Sequence, residues 1–141
     1  MLDLEEPRID VALVCSDFDA SLDFYHRKLG LVIAEDLDIS EETAVPSGLA
    51  PSGFRHVRLR AGNALIKLMK IEPTPPAPPA GFQAGVRWIT FFVTDMTATI
   101  VELRSRGVSF TSEPIRGLVD TMVCVIGPDG LLIEFVERHK P

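Results

Sequence analysis

The chain has 141 residues, of which 46% are hydrophobic and 24% are charged, and its formal net charge is -6. This length fits one domain with a sizeable core, and the composition is that of ordinary globular proteins rather than of disordered or membrane-spanning ones. The acidic balance disfavours nucleic acid as a partner, because phosphate contacts require a basic surface. A small molecule or another protein is the expected partner.

The first ten residues, MLDLEEPRID, are acidic and lack a basic stretch followed by an apolar one. We therefore expect no secretory signal and a cytoplasmic location, and no apolar run is long enough to span a membrane. The two cysteines, Cys15 and Cys124, lie in the apolar segments VALVCSD and TMVCVIG, without the CxxC spacing of a redox or metal site. They are predicted to be buried, reduced thiols.

In chain order, the first half begins with a predicted strand in RIDVALVC and a helix in DFDASLDFYHRKLGL, with the Ser-Asp pair as its N-cap. Three further strands are predicted in LVIAEDLD, FRHVRLRAG and NALIKLMKIE. The helix has one apolar stripe, made of Phe18, Leu22, Tyr25 and Leu29. The Pro-, Gly- and Ser-rich segment Asp38–Gly53 precedes the third strand, and it is either a lid or binding loop or an insertion without a role.

A connector follows at residues 73–85, where five prolines lie between Pro73 and Pro79 and exclude a helix. The second half then repeats the order of the first. A strand in RWITFF leads through Thr-Asp into a helix with the apolar stripe Met96, Ile100 and Leu103. Three strands follow in VSFTSEP, TMVCVIG and GLLIEFVER, and GPDG forms the turn between the last two.

An offset of 78 positions superimposes the two halves, placing Val11 on Ile89, Cys15 on Val93 and Asp17 on Asp95. Each half therefore reads β-α-β-β-β. The predicted fold class is α+β, with module one at about 8–72, the connector at 73–85 and module two at about 86–137. The whole is interpreted as a single domain, 1–141.

The duplicated unit, with DFDASLDFYHRKLGL, TDMTATIVELRSRGV and GPDGLLIEFVE, resembles the vicinal oxygen chelate superfamily of glyoxalases, bleomycin-resistance proteins, extradiol dioxygenases and methylmalonyl-CoA epimerases. The resemblance extends from about Arg8 to Glu137. It implies that two curled mixed sheets form a cup, with the helices outside and the ligand inside. It says less about the reaction, since one fold supports several chemistries.

Alternation along the strands indicates which side chains face the cup. Val11, Leu13, Ile66, Leu68, Ile133 and Phe135 are among those predicted to pack beneath the helices. The predicted ligand-binding side chains are Trp88, Phe92, Thr90, Arg58, His56, Met69 and Leu65. Trp88 either contributes to an apolar wall for a flat organic ligand or fills the space of a metal ion and its waters.

In metal-dependent members that the chain resembles, four strand positions carry the metal ligands, and Asp10, Lys67, Trp88 and Glu134 occupy them here. A protonated amine and an indole have no lone pair to offer a cation, and two carboxylates alone would bind it weakly. Of the three histidines, only His56 is predicted to reach the cup. We therefore predict no metal and no other cofactor.

Lys67 would instead place a fixed positive charge beside two carboxylates, Asp10 and Glu134. This trio is either a salt bridge in an obsolete metal site or a catalytic group in which Lys67, with Arg58, binds a ligand oxygen while a carboxylate moves a proton. The first hypothesis for function is thus a metal-independent isomerase or lyase acting on a carbonyl-bearing or aromatic compound, with Glu134, Lys67 and Asp10 as catalytic residues.

Two alternatives stay open at this point. One is a protein that sequesters a drug or metabolite without turnover, as the bleomycin-resistance branch does. The other is a metal-dependent glyoxalase, epimerase or dioxygenase with atypical ligands. The resemblance also implies a homodimer, and the sequence leaves open whether the cup forms within one chain or across two.

Overall fold

Two four-stranded mixed sheets, each with its own helix, make up the fold in a computed structural model that describes all residues from 1 to 141. The chain divides into two compact units, Met1–Ala77 and Pro78–Pro141, and the boundary falls within the proline-rich connector. The predicted α+β class with two βαβββ units is confirmed.

The first unit contains four strands, β1 to β4, and two helices, α1 and α2. Its elements are β1 (Val11–Val14), α1 (Phe18–Leu22) with a π-helical turn (Asp23–Lys28), β2 (Val32–Ile39), α2 (Glu41–Ser47), β3 (Phe54–Ala61) and β4 (Ala64–Lys70). The strand order is β1-β4-β3-β2, with β1 parallel to β4 and the other neighbours antiparallel. Helix α1 packs against β4.

The second unit repeats this topology. Its elements are β5 (Trp88–Phe92), α3 (Met96–Ser105), β6 (Ile115–Arg116), β7 (Asp120–Ile126), a 3-10 turn (Pro128–Gly130) and β8 (Leu132–Arg138). The strand order is β5-β8-β7-β6, with β5 parallel to β8. Helix α3 packs against β8, and no helix of the chain is long and apolar enough to cross a membrane.

Both predicted N-caps are confirmed. The Asp17 carboxylate accepts a hydrogen bond from the backbone N–H of Ala20 at 3.0 Å, and Asp95 accepts one from Ala98 at 2.8 Å. Each satisfies a backbone donor that the first helical turn leaves without a partner. In the second unit, the Glu137 carboxylate also accepts from the N–H of Met96, which anchors the start of α3 to β8.

The first helix differs from its predicted form, because α1 widens after Leu22 into a π-helical turn. The N–H of Leu29 bonds to the carbonyl of Phe24, five residues earlier, at 2.9 Å. A π-turn holds more residues than an α-turn, so the buried face shifts. Phe24 and Tyr25 are buried with their ring centroids 5.0 Å apart, whereas Leu22 and Leu29 are only half-buried.

The segment Asp38–Gly53 differs from the predicted loop, because it contains helix α2. The helix places Ala44, which has no exposed surface, in an apolar cluster with Phe54, Met69 and Ile71. It ends at Gly48, whose φ of +78° is in the left-handed region where a glycine is favoured. The predicted strand in VSFTSEP is likewise reduced to one bridge, between Phe110 and Val125, and the short strand β6 begins only after that segment, at Ile115.

Each sheet has two distinct faces. The face beneath the helices is the core, and its buried side chains are Val57, Leu59, Ile66 and Leu68 in the first sheet and Val123, Val125, Ile133 and Phe135 in the second. We call the other face of each sheet its site face, because the predicted site residues lie there. Val11 and Leu13 are only half-buried, since β1 is an edge strand.

Candidate functional site

On the first site face, Lys67 lies directly opposite Arg58. The two occupy paired positions in the antiparallel ladder of β3 and β4, and Ala12 of β1 pairs with Lys67 on its other side. Directly opposed residues of antiparallel strands project to the same face. The side chains of Lys67 and Arg58 are each 26% exposed, so both cations remain in contact with solvent.

Asp10 lies immediately before β1 and is anchored by several partners. Its Oδ1 accepts a hydrogen bond from the backbone N–H of Leu65 at 3.1 Å and lies 3.2 Å from Nε of Arg8. Its other oxygen, Oδ2, lies 3.6 Å from Nζ of Lys67. The predicted pairing of Lys67 with Asp10 is therefore present, although it is the loosest of these contacts.

His56 is the most buried polar side chain on this face, with 5% of its surface exposed. Its Nε2 atom is buried without a hydrogen-bond partner, as is Nε of Arg58. Burial lowers the pKa of His56 below its usual value of 6.5, and the positive charges of Arg58 and Lys67 lower it further. The imidazole is thus neutral at physiological pH, because charging it would cost desolvation energy and repulsion.

Two predicted ligand-binding side chains, Leu65 and Met69, are buried. Met69 pairs with His56 across β3 and β4 and belongs to the cluster with Ala44 of α2. The helix that replaces the predicted loop therefore lies over one end of the site face. Met69 could contact a ligand only after α2 moved.

On the second site face, three predicted residues form a hydrogen-bonded chain. The indole N–H of Trp88 donates to Oγ1 of Thr90 at 3.1 Å, and that hydroxyl donates to Oε1 of Glu134 at 2.7 Å. Thr90 and Glu134 are paired residues in the parallel ladder of β5 and β8. The chain fixes the orientation of the indole and of the carboxylate.

The aromatic side chains of this face are exposed to an unusual degree. Trp88 is 55% exposed and Phe92 is 63% exposed, although both lie on a sheet strand. The guanidinium carbon of Arg138 lies 4.6 Å from the ring centroid of Phe92, within the range of a cation-π contact. Large apolar surface left open on a sheet is typical of a binding surface.

Cys124 also lies on the second site face, whereas the sequence predicted only that it would be a buried thiol. It pairs with Glu134 across β7 and β8 and is half-buried. Burial raises the pKa of the Cys124 thiol, and the negative charge of Glu134 raises it further. Alternation along TMVCVIG, counted from the buried Val123 and Val125, would have placed Cys124 on this face.

The four positions that the resemblance assigns to metal ligands do not fit a divalent cation. Lys67 and Trp88 offer no lone pair, Asp10 is already paired with Arg8 and Lys67, and within each unit no group of three His, Cys, Asp or Glu side chains is placed to hold a metal. Asp10 and Lys67 belong to the first unit, whereas Trp88 and Glu134 belong to the second.

Two cavities of about 230 and 450 Å³ lie in the first unit, at the ends of its strands. Lys70 lines both of them, with Asp17 and Phe18 at the smaller and Arg55 and Glu72 at the larger. Neither cavity is lined by a predicted site residue. Both are shallow surface depressions at strand ends, and we assign the candidate site to the strand faces instead.

Comparison with known proteins finds solved structures of similar fold and one curated relative. A solved glyoxalase family protein from Bacillus cereus is similar to this chain, with a TM-score of 0.73 and 20% sequence identity over 99% of both chains. TnmS3, an antibiotic binding protein from Streptomyces sp. CB03234, gives a TM-score of 0.66 and 18% identity over 99% of both chains. The uncharacterised protein YwkD of Bacillus subtilis (strain 168) is 26% identical over 106 residues, 75% of this chain and 74% of that one.

The solved structures share less than a quarter of their residues with this chain, so their likeness concerns the fold. Family membership is decided by the sequence model of the Glyoxalase/Bleomycin resistance protein/Dioxygenase superfamily, which matches residues 9–135. That match includes both repeated units and nearly the whole chain. The chain therefore belongs to the Glyoxalase/Bleomycin resistance protein/Dioxygenase superfamily.

Proposed function

We propose that this protein binds a planar, largely apolar organic compound and sequesters it without turnover. The observation that carries the proposal is the exposure of two aromatic side chains, Trp88 and Phe92, at the two ends of β5 on the second site face. Exposed aromatic side chains lose water-contacting area when a flat ligand stacks on them, and stacking of this kind contributes about 0.5–1.5 kcal/mol per ring pair. A similar structure, TnmS3, is described as an antibiotic binding protein, which supports this proposal.

The polar groups of the second site face favour binding over chemistry. Thr90 accepts from Trp88 and donates to Glu134, so the proton of its hydroxyl is already used within the protein. A hydrogen-bonded chain of this kind orients the indole before any ligand arrives, which reduces the entropy lost on binding. Preorganisation of the aromatic surface thus supports recognition.

Calorimetric titration with 2-naphthamide, a neutral planar probe, tests the proposal. We expect saturable binding by the wild-type protein and a loss of at least ~10-fold in affinity for Trp88→Ala, since this substitution removes both the stacking energy and the apolar area buried on the indole, together about 1.4 kcal/mol or more. Phe82→Ala is the matched control, because Phe82 is an exposed aromatic residue of the same unit outside the two sheets. Binding that is absent, or equally weakened by both substitutions, contradicts the proposal.

A metal-independent isomerase or lyase is the second candidate, favoured by the positions of Lys67, Asp10 and Glu134 on the site faces. In this mechanism a carboxylate removes a proton next to a carbonyl group while a cation stabilises the negative oxygen that forms. The conjugate acid then returns the proton to another atom of the ligand. No metal is needed for either step.

Proton exchange separates this candidate from sequestration. In D2O, an enzyme of this kind would catalyse deuterium incorporation into the methyl group of 2-acetylnaphthalene, which NMR detects. Exchange above the buffer rate that is lost in Glu134→Gln or Lys67→Met would establish catalysis. Exchange at the buffer rate, with the ketone bound, would leave sequestration as the function.

We also propose a homodimer, supported by the apolar side chains that remain exposed on the edge strands β1 and β5, including Val14 and Phe92. Light scattering after size-exclusion chromatography gives the mass directly. A cytoplasmic location stays a prediction, supported by two cysteines of which neither forms a disulfide.

A further inference from the structure

Three side chains on the first site face have hydrogen-bonding capacity that the protein leaves unused. Nε2 of His56 and Nε of Arg58 are both buried without a partner. Nζ of Lys67 has one ionic contact, with Asp10 at 3.6 Å, which is longer than a hydrogen bond. A buried polar atom without a partner costs about 1–3 kcal/mol, and native proteins retain few of them.

The strand register brings these three groups to one place. Arg58 and Lys67 are directly opposed across β3 and β4, and His56 lies two residues before Arg58 on the same face. Directly opposed residues have Cβ atoms about 5 Å apart, and diagonal neighbours about 7–8 Å apart. Long Arg and Lys side chains at that separation can reach one small anionic group together.

The existing carboxylates leave these cations available. Asp10 keeps its hydrogen bond from Leu65 and its contact with Arg8 even if Lys67 turns away. Glu35 lies 3.5 Å from Nη1 of Arg58, and its side chain is 52% exposed, so water can solvate it when Arg58 changes partner. Neither cation therefore has to break a short hydrogen bond to contact a ligand.

We infer that the first site face is a binding site for an anionic oxygen group, a carboxylate or a phosphate, held by Arg58 and Lys67 with the imidazole of His56 as an additional donor. A planar guanidinium forms two parallel hydrogen bonds with such a group, and charge-assisted bonds are roughly twice as strong as neutral ones. The site concerns the first unit alone, so it can be present or absent independently of the aromatic surface of the second.

An NMR titration of the full-length protein with benzoate, phenyl phosphate and benzamide tests the inference. We expect the backbone amides of β3 and β4 to shift with both anions, and benzamide, which has the shape of benzoate without its charge, to bind at least ~10-fold more weakly. Preference for benzoate or for phenyl phosphate identifies which anion the site favours. Equal affinity for benzamide and benzoate overturns the inference.

Substitutions locate the site. Lys67→Met and Arg58→Met should each weaken benzoate binding at least ~10-fold, as expected for the loss of a charge-assisted contact. Lys70→Met is the matched control, because Lys70 lies on the same strand, is exposed and contacts the Phe18 ring on the opposite face. An equal loss of benzoate affinity in Lys70→Met would show a nonspecific effect of charge and would contradict the proposed site.

A conservative variant separates the loss of charge from a loss of stability. Lys67→Arg keeps the charge, and it should retain benzoate affinity within a few-fold even if Lys67→Met lowers stability. Loss of the anion preference with 2-naphthamide binding intact would remove this inference alone. Loss of 2-naphthamide binding with the anion preference intact would instead contradict the proposed sequestration and leave the anion site supported.

Discussion

Nζ of Lys67 lies 3.6 Å from Oδ2 of Asp10 on the first site face. The contact is an ion pair in which only the carboxylate has other close partners, Leu65 and Arg8. Asp10 is therefore a structural acceptor, whereas Lys67 retains donors for a ligand. The two members of one pair thus have different roles, and substitutions can separate them.

Replacing Asp10 tests its structural role. Asp10→Ala leaves the N–H of Leu65 without its acceptor and removes the counter-charge of Lys67, so we expect the free energy of unfolding to fall by about 1–3 kcal/mol. Asp10→Asn keeps an acceptor oxygen and should cost less. Urea denaturation followed by circular dichroism measures both values. Equal losses in the two variants would assign the effect to charge rather than to the hydrogen bond.

The buried imidazole of His56 predicts a pH dependence of stability. Its pKa is lowered by burial, then by Arg58 and Lys67, while Glu35 and Asp36 oppose the shift. The unfolded chain therefore binds a proton at a pH where the folded protein does not, so stability should decrease as the pH falls below about 6.5 and should level off below the folded pKa. Urea titrations between pH 7.5 and 5.5 measure this slope.

His56→Phe removes the titrating group and should flatten that slope, since the substitution keeps an aromatic ring beside Phe54. His139→Gln is the control, because His139 contacts Thr121 in the other unit. The control should keep the wild-type slope. A slope unchanged in His56→Phe would assign the pH dependence to other groups.

The docking of α2 depends on one small side chain. Ala44→Asp would place a carboxylate against Phe54 and Met69, and an unpaired buried charge is so costly that α2 should detach instead. Cleavage by a glutamate-specific protease at Glu41 and Glu42 should accelerate at least ~10-fold. A loss of about 1.4 kcal/mol in the free energy that holds α2 on the sheet raises the detached fraction of α2 by that factor.

Val45→Asp, at the exposed neighbouring position of α2, serves as the control and should leave the cleavage rate near that of the wild type. Rapid cleavage in both variants, or in the wild type itself, would mean that α2 is not held by the Ala44 contact.

Trp88 is the single tryptophan of the chain, so its fluorescence reports on the second site face alone. Thr90→Val keeps the side-chain shape but removes the hydroxyl that joins Trp88 to Glu134. We expect an altered emission spectrum and a loss of about 0.5–1.5 kcal/mol in unfolding free energy. Thr97→Val, on the exposed side of α3, is the control and should change neither quantity. An unaltered spectrum in Thr90→Val would mean that the hydrogen bonds from Trp88 through Thr90 to Glu134 are not formed.

Much of the fold could be predicted because its signals are local. Asp17 and Asp95 cap their helices as predicted, since a cap requires only the residue and the next helical turn. The correspondence between the strands of the two halves also holds in three dimensions. Ala12 pairs with Lys67 in the first sheet, and Thr90 pairs with Glu134 at the corresponding place in the second.

The departures from prediction arise where local preference competes with packing. Leu22 and Leu29 fit an α-helical stripe with Tyr25, yet the π-turn leaves both leucines half-buried and buries Phe24 beside Tyr25, because an aromatic ring buries more apolar area than a leucine. Pro46 and the neighbouring Ser and Gly residues suggested a loop, yet α2 forms once Ala44 can pack against the sheet. Short helices gain most of their stability from such contacts.

The sequence by itself determined the duplicated βαβββ units and the side chains that form the core face of most strands, because alternation and spacing are properties of the residue order. Only the tertiary structure decided that Asp10 accepts from Leu65, that Thr90 links Trp88 to Glu134, and that His56 is buried without a partner. These contacts join residues far apart in sequence, so they depend on strand register and side-chain conformation rather than on any local pattern.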